Sequence, residues 1–544
     1  MVFWAYAGLF PCQARGEEPS GFTSNLPLVV VDLLTNEVSR QRRIPVSVAI
    51  IDTRNGRSSL QGPAAYSGPA ALWSRGSSSR MRPKRPYRLE VQTANGEDLK
   101  VPLLGLPKES DWILYPSFLD KTFIRDVLAY DLWRAMGHYA PRWRYVEVFI
   151  KKASTNGTNH PQGQPSRAPR KADETSALLS QITMADYEGV YVLLEKIKRG
   201  KDRLALRKLD REGTDEPEIT GGYIFKKDRV NSGEHGFKSA HGLEFAYEEP
   251  KERDLTPAQE RWLTNYVNAF EQALFSEDFC NPDTGYAQYL DVDSFIDYHW
   301  IVEATKNIDG YWFSQFYYKD RGGKLHAGPI WDWDLSFGNA YYLEGHRTNG
   351  WRWTTMHEPH YQWYRRLFED PDFLQRYIDR WHELRQDVLA TAHVLARVDA
   401  MAMQLQEAQA RNYSRWATLG TPVHPKAYAG KTYQAEVGHL KKWIEDRLAW
   451  IDSQDFPPPM AKVLSIAQGK DGGLKAALSC EAGRIFYTID GTDPRARGGG
   501  VSSQAREYRA PVPIGTTMPV IARTRSEYDL WSAPLTIKRV AFGQ

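Results

Sequence analysis

At 544 residues the chain is long enough for more than one domain, and 70 basic against 67 acidic residues leave a net charge of only +3. That balance gives no bulk electrostatic drive toward nucleic acid. Three cysteines, Cys12, Cys280 and Cys480, stand far apart without metal-ligand spacing, which excludes a disulfide-built scaffold and a thiolate metal centre.

Residues 1–24 open on an apolar stretch, Met1 to Phe10, that has no positive leading region and is too short to cross a bilayer. It reads as the tail of a signal peptide whose start lies upstream, with an ordinary fraying terminus as the alternative. The first reading places the protein outside the cell or on its surface. No other segment is long and apolar enough to span a membrane. Leu28 to Leu34 is an apolar run and Ile44 to Ile51 alternates, so both are expected strands. Arg75-Gly76-Ser77-Ser78-Ser79 offers backbone and hydroxyl donors beside a cation. It suits a phosphate cradle, or else a flexible serine-rich turn.

Lys84 follows, on an expected strand, where a lone buried cation needs a phosphate or a carboxylate. Asp120 stands where it can cap a helix opened by Arg125 and continued through Leu128, Leu132 and Met136. Residues 151–180 are rich in Asn, Gly, Pro, Ser and Lys and read as a disordered insertion. The strand Glu188 to Glu195 ends on a carboxylate that either partners Lys84 or pairs locally with Lys196, Lys198 and Arg199.

Strand-like pieces return over 219–250, and from Thr256 the pattern is helical, with apolar steps of three and four over Gln259 to Phe275 and Asp293 to Lys306. Asp309 lies just beyond. Phe316-Tyr317-Tyr318 then leads through Gly322-Gly323 into Leu325-His326-Ala327, a hairpin. The segment Gly328 to Asn339 carries Asp332 and Asp334 among Trp331, Trp333 and Phe337, bracketed by turn residues. Read as a short strand, it projects both carboxylates from one face. They repel unless a cation lies between them, and oxygen ligands suit Mg²⁺, Mn²⁺ or Ca²⁺. The competing reading is a surface strand with outward carboxylates. Residues 361–455 are helical with aromatic stripes that suit core packing. A proline-rich linker at 456–460 breaks the pattern, and 461–544 reads as a small β-sandwich.

Taken in order, these stretches resemble the CotH family of spore-coat-type atypical protein kinases. Arg75-Gly76-Ser77 with Pro83-Lys84 to Leu89 is similar to its "RG-x-S … PK-x-x-Y-x-L" strand pair, and Trp112 to Arg125 to its "W-x-L … D-x-T-x-x-R" helix start. Gly189 to Glu195 is similar to "G-x-Y-x-L-x-E", and the Asp309 and Asp332/Asp334 segments resemble the family's core. The resemblance covers roughly residues 25–455. It implies an α+β fold with a two-lobed atypical kinase-like domain, a mixed sheet lobe followed by a helical lobe.

It further implies ATP and Mg²⁺ (or Mn²⁺) as cofactors and Asp309 as catalytic base. Asp332 and Asp334 would hold metal, while Arg75, Ser77 and Lys84 would lie near phosphates with Glu195 as the lysine's partner. One departure weakens the activity: five residues after Asp309, where kinases place a metal-binding Asn, stands Ser314. Within the C-terminal part, Tyr487-Thr488-Ile489-Asp490-Gly491-Thr492-Asp493-Pro494 resembles the "YT-x-DG-x-DP" hairpin of the chitobiase/β-hexosaminidase C-terminal domain, an accessory module of secreted enzymes.

Two functions from different classes follow. One is an exported kinase-like enzyme that phosphorylates Ser or Thr of a partner protein. The other is a surface or scaffold protein without transfer, whose C-terminal module contacts glycan or peptide. A glycoside hydrolase using Asp309 and Asp332 needs carboxylates about 5 to 9 Å apart across a bond. The N-terminal motifs do not fit such enzymes.

Overall fold

The computed structural model describes residues 21–34, 38–39, 42–52, 56–76, 79–152, 174–228, 235–357, 360–454, 458–469 and 472–539. The chain divides into two compact units. One comprises Met1–Val127, Pro141–Ile197 and Arg397–His439; the other comprises Leu128–Ala140, Lys198–Ala396 and Leu440–Gln544. The fold is mixed α+β, and no helix among the described residues is long and apolar enough to cross a membrane.

The first unit opens with β1 (Thr23–Ser24), β2 (Leu28–Leu33), β3 (Ile44–Ile51), β4 (Ser58–Ser59), β5 (Tyr66–Ser74) and β6 (Tyr87–Val91). It continues with β7 (Asp111–Tyr115), β8 (Trp143–Lys151) and β9 (Tyr187–Glu195). Seven of these close into a barrel in the order β2-β3-β5-β6-β7-β9-β8. The closing pair, β2 with β8, is parallel, whereas the other neighbours are antiparallel.

Alternation decides the inside. Val29, Val31 and Leu33 join Val46, Val48, Leu72, Leu114 and Leu193 in one core, while Leu28 and Val30 join Ala49, Phe149 and Tyr187 in a second. Both faces are therefore buried, which is why Leu28 to Leu33 reads as an unbroken apolar run. The mixed sheet expected from the sequence is thus a closed barrel, and closure removes the sheet edges an open lobe would expose. Phe22 packs edge-on against Phe149 at 5.1 Å, so the chain belongs to this fold from before residue 24. Of the expected insertion, 153–173 lie outside the described residues. Its tail forms a short helix, Thr175–Leu179, whose buried Leu178 and Leu179 join the second core and so are not a disordered segment.

The second unit holds a five-stranded antiparallel sheet: β10 (Tyr223–Lys227), β11 (Gly236–Lys238), β12 (Glu244–Glu249), β13 (Gln315–Lys319) and β14 (Leu325–Ala327), in the order β11-β12-β10-β13-β14. The expected Gly-Gly hairpin is the β13–β14 pair. The helix Pro257–Leu274 starts at a capping box formed by Thr256 and Gln259. Asp291 caps the helix Val292–Thr305, whose Ser294 to Thr305 are buried on every side, and Lys306 ends it in the left-handed region at φ 47°. That helix delivers Asp309. Gln362–Leu367 and Pro371–Gln386 bury Trp363, Leu367, Phe373, Tyr377 and Trp381, as the aromatic stripe requires.

The C-terminal strands are β15 (Lys462–Gln468), β16 (Leu474–Ser479), β17 (Arg484–Thr488), β18 (Arg506–Glu507), β19 (Val512–Pro513), β20 (Val520–Arg525) and β21 (Leu535–Ile537). They form a three-stranded and a four-stranded sheet that share a core of Ala476, Leu478, Ile485, Val512 and Val520. This is a small sandwich. It docks on the Pro371–Gln386 helix through Arg523 to Asp379 (2.6 Å) and Arg495 to Asp372 (2.6 Å).

Candidate functional site

The Asp309 segment is a tight turn built by its own neighbours. Asn307 Oδ1 accepts from the Asp309 amide (3.0 Å), and the Asp309 carbonyl accepts from the amides of Trp312 and Phe313 (2.8 Å each). Asp309 itself is half-buried. The preceding Ile308 carbonyl accepts from Arg352 Nε (3.0 Å). Lys306 Nζ donates to the carbonyls of Arg347 (3.1 Å) and Asn349 (2.6 Å), and burial lowers its pKa to about 8. Ser314 sits at φ 54° where the chain turns into β13, half-buried.

The Asp332–Asp334 segment departs from the expected strand. β14 ends at Ala327, Asp332 adopts φ 65°, and the two aspartates lie in a loop, the first exposed and the second half-buried. The alternation that would have put both carboxylates on one strand face therefore does not apply. Two glycines at positive φ shape the loop. A Cβ on Gly328 would come within 2.8 Å of Trp133, and one on Gly338 would collide with the Trp443 indole.

The loop is pinned from beneath. Trp333 Nε1 donates to Thr305 Oγ1 (2.9 Å), the Phe337 amide to the Thr305 carbonyl (2.7 Å), and the Asp332 amide to the Tyr130 hydroxyl (3.3 Å). Trp331 stacks on Tyr130, and Asn339 Nδ2 donates to the Asp334 carbonyl (2.7 Å). Trp333 and Phe337 are buried, so they form the floor of the loop rather than walls above it. The acid loop is consequently fastened to the end of the same helix that delivers Asp309.

Among the described residues no group of three or more His, Cys, Asp or Glu could hold a metal ion. Asp332, Asp334 and Ser314 offer hard oxygen donors without a complete protein cage. Carboxylate and hydroxyl oxygens are the donor type that Mg²⁺ takes, and Mg²⁺ keeps waters and needs only one or two carboxylates at nucleotide sites.

The remaining candidates lie in the first unit. Ser77 is outside the described residues. The Arg75 amide donates to the Pro86 carbonyl (3.2 Å), which fastens the Arg75-Gly76 turn beside β6. Lys84 lies in a bend ahead of β6, not on a strand, and is 1% exposed. Its ammonium donates to the carbonyls of Pro116 (3.0 Å) and Val190 and to Asn412 Oδ1 (2.9 Å), beneath the rings of Tyr191 and Phe123. Burial drives its pKa well down, opposed by the charge of Glu188.

The expected Lys84–Glu195 pair does not form. Arg142 takes the Glu195 carboxylate through Nε (3.0 Å), Nη2 (2.8 Å) and its amide (3.0 Å). Val190 and Glu195 are five residues apart on β9, about 16 Å at strand rise, which puts Glu195 out of the lysine's reach. Asp120 does cap the helix, accepting from the Arg125 amide (2.8 Å) and pairing with its guanidinium (2.6 Å).

Asn412 was missed by sequence reasoning. Its Oδ1 also accepts from the Val190 amide (3.1 Å), and Gly189 at φ 98° leaves the space it fills. No sequence signal pointed to a polar residue 328 positions from Lys84. Glu303 was missed too; it is one of three acids on its helix, with Asp293 and Asp297, and nothing in the sequence singles it out. Fully buried, it accepts from Tyr311 Oη (2.9 Å) and from the amides of Arg352 (2.7 Å) and Trp353 (3.0 Å), beside Arg447.

Comparison with known proteins gives one positive finding. The family model described as CotH kinase protein matches residues 72–451, more than half of the chain. No curated protein matches it.

Proposed function

Because the chain belongs to the CotH family, we propose that it transfers the γ-phosphoryl of ATP to Ser or Thr of an extracytoplasmic or surface protein, with Mg²⁺ or Mn²⁺. The observation that carries this reading is the anchoring of the Asp332–Asp334 loop to Thr305, at the end of the helix leading to Asp309. Such transfer rests on positioning and charge neutralisation rather than covalent catalysis. A bound Mg²⁺ supplies neutralisation of phosphate charge, and Asp332 and Asp334 would hold it with help from Ser314. Asp309 would orient the acceptor hydroxyl and take its proton. Arg75, Ser77 and Lys84 would attend the phosphates in a two-lobed kinase-like layout. Export accords with the apolar N-terminal stretch, and the sandwich, in the manner of a chitobiase/β-hexosaminidase C-terminal domain, would contact glycan.

A second reading, a catalytically weak or inactive kinase-like scaffold, is favoured by two features. Ser314 is a neutral, weak ligand at the second-metal position. Lys84 has three N–H donors and three protein acceptors already, so a phosphate must displace one of them. Thermal shift with ATP, with and without Mg²⁺, followed by labelled-phosphate transfer, separates the two. Metal-dependent stabilisation with transfer supports the enzyme, and stabilisation without transfer supports the scaffold. No shift under either condition removes the nucleotide from both readings.

A further inference from the structure

The turn that carries Asp309 is held on both sides by one buried carboxylate. Glu303 lies near the end of the Val292–Thr305 helix and is fully buried. Downstream of the aspartate, Tyr311 Oη donates to Glu303 Oε1 (2.9 Å). Upstream the hold is relayed. Glu303 Oε2 accepts from the Arg352 amide (2.7 Å), and the Arg352 guanidinium donates through Nε (3.0 Å) and Nη2 to the Ile308 carbonyl. Burial lowers the pKa of that guanidinium, opposed by the charges of Glu303, Tyr311 and Asp309, so it lies within electrostatic reach of the aspartate.

Gly310 completes the clamp. Its carbonyl accepts from Tyr298 Oη (2.7 Å), and a Cβ there would meet Val302 at 2.7 Å. Glu303 is itself seated by Arg447, which donates to its carbonyl through Nε (3.0 Å) and Nη2 (2.7 Å) and to the Thr348 (2.9 Å) and Gly350 (2.7 Å) carbonyls through Nη1. The groups bonded to the carboxylate are donors: a hydroxyl, two amides and a guanidinium. A carboxamide of the same shape would turn an N–H against one of them.

We propose that Glu303 is a positioning residue of the phosphotransfer site, fixing the Asp309 carboxylate for the acceptor hydroxyl without touching substrate itself. This rests on the reading of Asp309 as the base. Losing the carboxylate frees the backbone on both sides of Asp309, and a displacement of about 1 Å at a reacting group costs on the order of 100-fold in rate. A purely structural role would instead weaken the helix and the sheet together.

The test uses the full chain and two variants, Glu303→Gln and Tyr311→Phe, the second removing a single hydroxyl. Amide hydrogen exchange read by mass spectrometry is combined with steady-state transfer from labelled ATP to dephosphorylated casein. Peptides over 306–316 should exchange at least tenfold faster in Glu303→Gln and several-fold faster in Tyr311→Phe, while β10 and the Pro257–Leu274 helix keep wild-type rates. In Glu303→Gln, kcat should fall at least tenfold with the KM for ATP within twofold. Wild-type exchange over 306–316 in both variants overturns the proposal, as does an equal rise across the turn, β10 and the helix. A loosened turn with unchanged kcat overturns it too. If Glu303→Gln fails to fold, Tyr311→Phe decides by the same criteria. A wild type that transfers no phosphate to casein or to itself counts against Asp309 as the base, while the exchange rates still decide whether Glu303 holds the turn.

Discussion

Lys227 on β10 is 5% exposed, and its ammonium donates to the His360 carbonyl (2.9 Å) with no carboxylate among its partners. Its cross-strand neighbour Gln315 is buried with both amide atoms lacking a hydrogen-bond partner. Burial alone lowers the Lys227 pKa from 10.5 to about 7. At 1.36 kcal/mol per unit, that depression makes the charged form costly in the fold by about 5 kcal/mol. The cost is borne in full below pH 7.

Between pH 7 and 10.5 the unfolded chain binds the proton and the folded chain does not, so stability rises with pH by about 1.4 kcal/mol per unit. Lys227→Met removes the titration and sacrifices one hydrogen bond worth about 1 kcal/mol. The variant should therefore exceed the wild type by about 4 kcal/mol at pH 6, narrowing to about 1 kcal/mol at pH 9. Urea unfolding at pH 6, 7.5 and 9, followed by tryptophan fluorescence, measures the gap. A variant less stable at pH 6, or a gap independent of pH, would refute the reasoning by showing that the lysine is charged and paired.

Asp309→Asn should abolish phosphate transfer from labelled ATP while leaving ATP–Mg²⁺ affinity within a few-fold, because a base acts chiefly in the transition state; retention of transfer would remove Asp309 from that role. Asp334→Asn should eliminate the Mg²⁺-dependent part of any nucleotide-induced rise in melting temperature, and an unchanged metal response would place the ion elsewhere. Gly338→Ala combines φ 79° with a collision against Trp443, so it should destabilise the second unit by roughly 1–3 kcal/mol, read as a lower melting temperature. An unaltered melt would mean that the loop relaxes freely.

Local signals carried much of the fold. The apolar run at Leu28, the alternation at Ile44, the helical pattern from Thr256, the Gly322-Gly323 hairpin and the strand pieces after the prolines are each written within a few residues. Features set by distant partners were not legible. Barrel closure depends on β2 meeting β8 more than a hundred residues later, and nothing in either strand specifies a parallel neighbour. Lys84 was expected to need a phosphate or a carboxylate, but two carbonyls and the Asn412 amide oxygen hold it instead of Glu195. The spacing of Asp332 and Asp334 suggested a strand because two-residue periodicity carries no record of backbone φ. The bracketing turn residues Gly328, Pro329, Gly338 and Asn339 hinted that the chain curls there.

Asn412 has a consequence for biosynthesis. The oxygen that seats Lys84 also receives the Val190 amide, and it comes from Arg397–His439, the last stretch of the first unit to leave the ribosome. The barrel strands are complete by Glu195, yet the lysine cannot settle until the chain has been made past residue 412. In the interval a nascent barrel would carry a buried ammonium short of one acceptor, together with an empty niche over Gly189. Translation thus runs through most of the second unit before the first can mature. Fragments ending before residue 397 should accordingly behave as folding intermediates, open to chaperones and proteases at this spot, rather than as a smaller native protein.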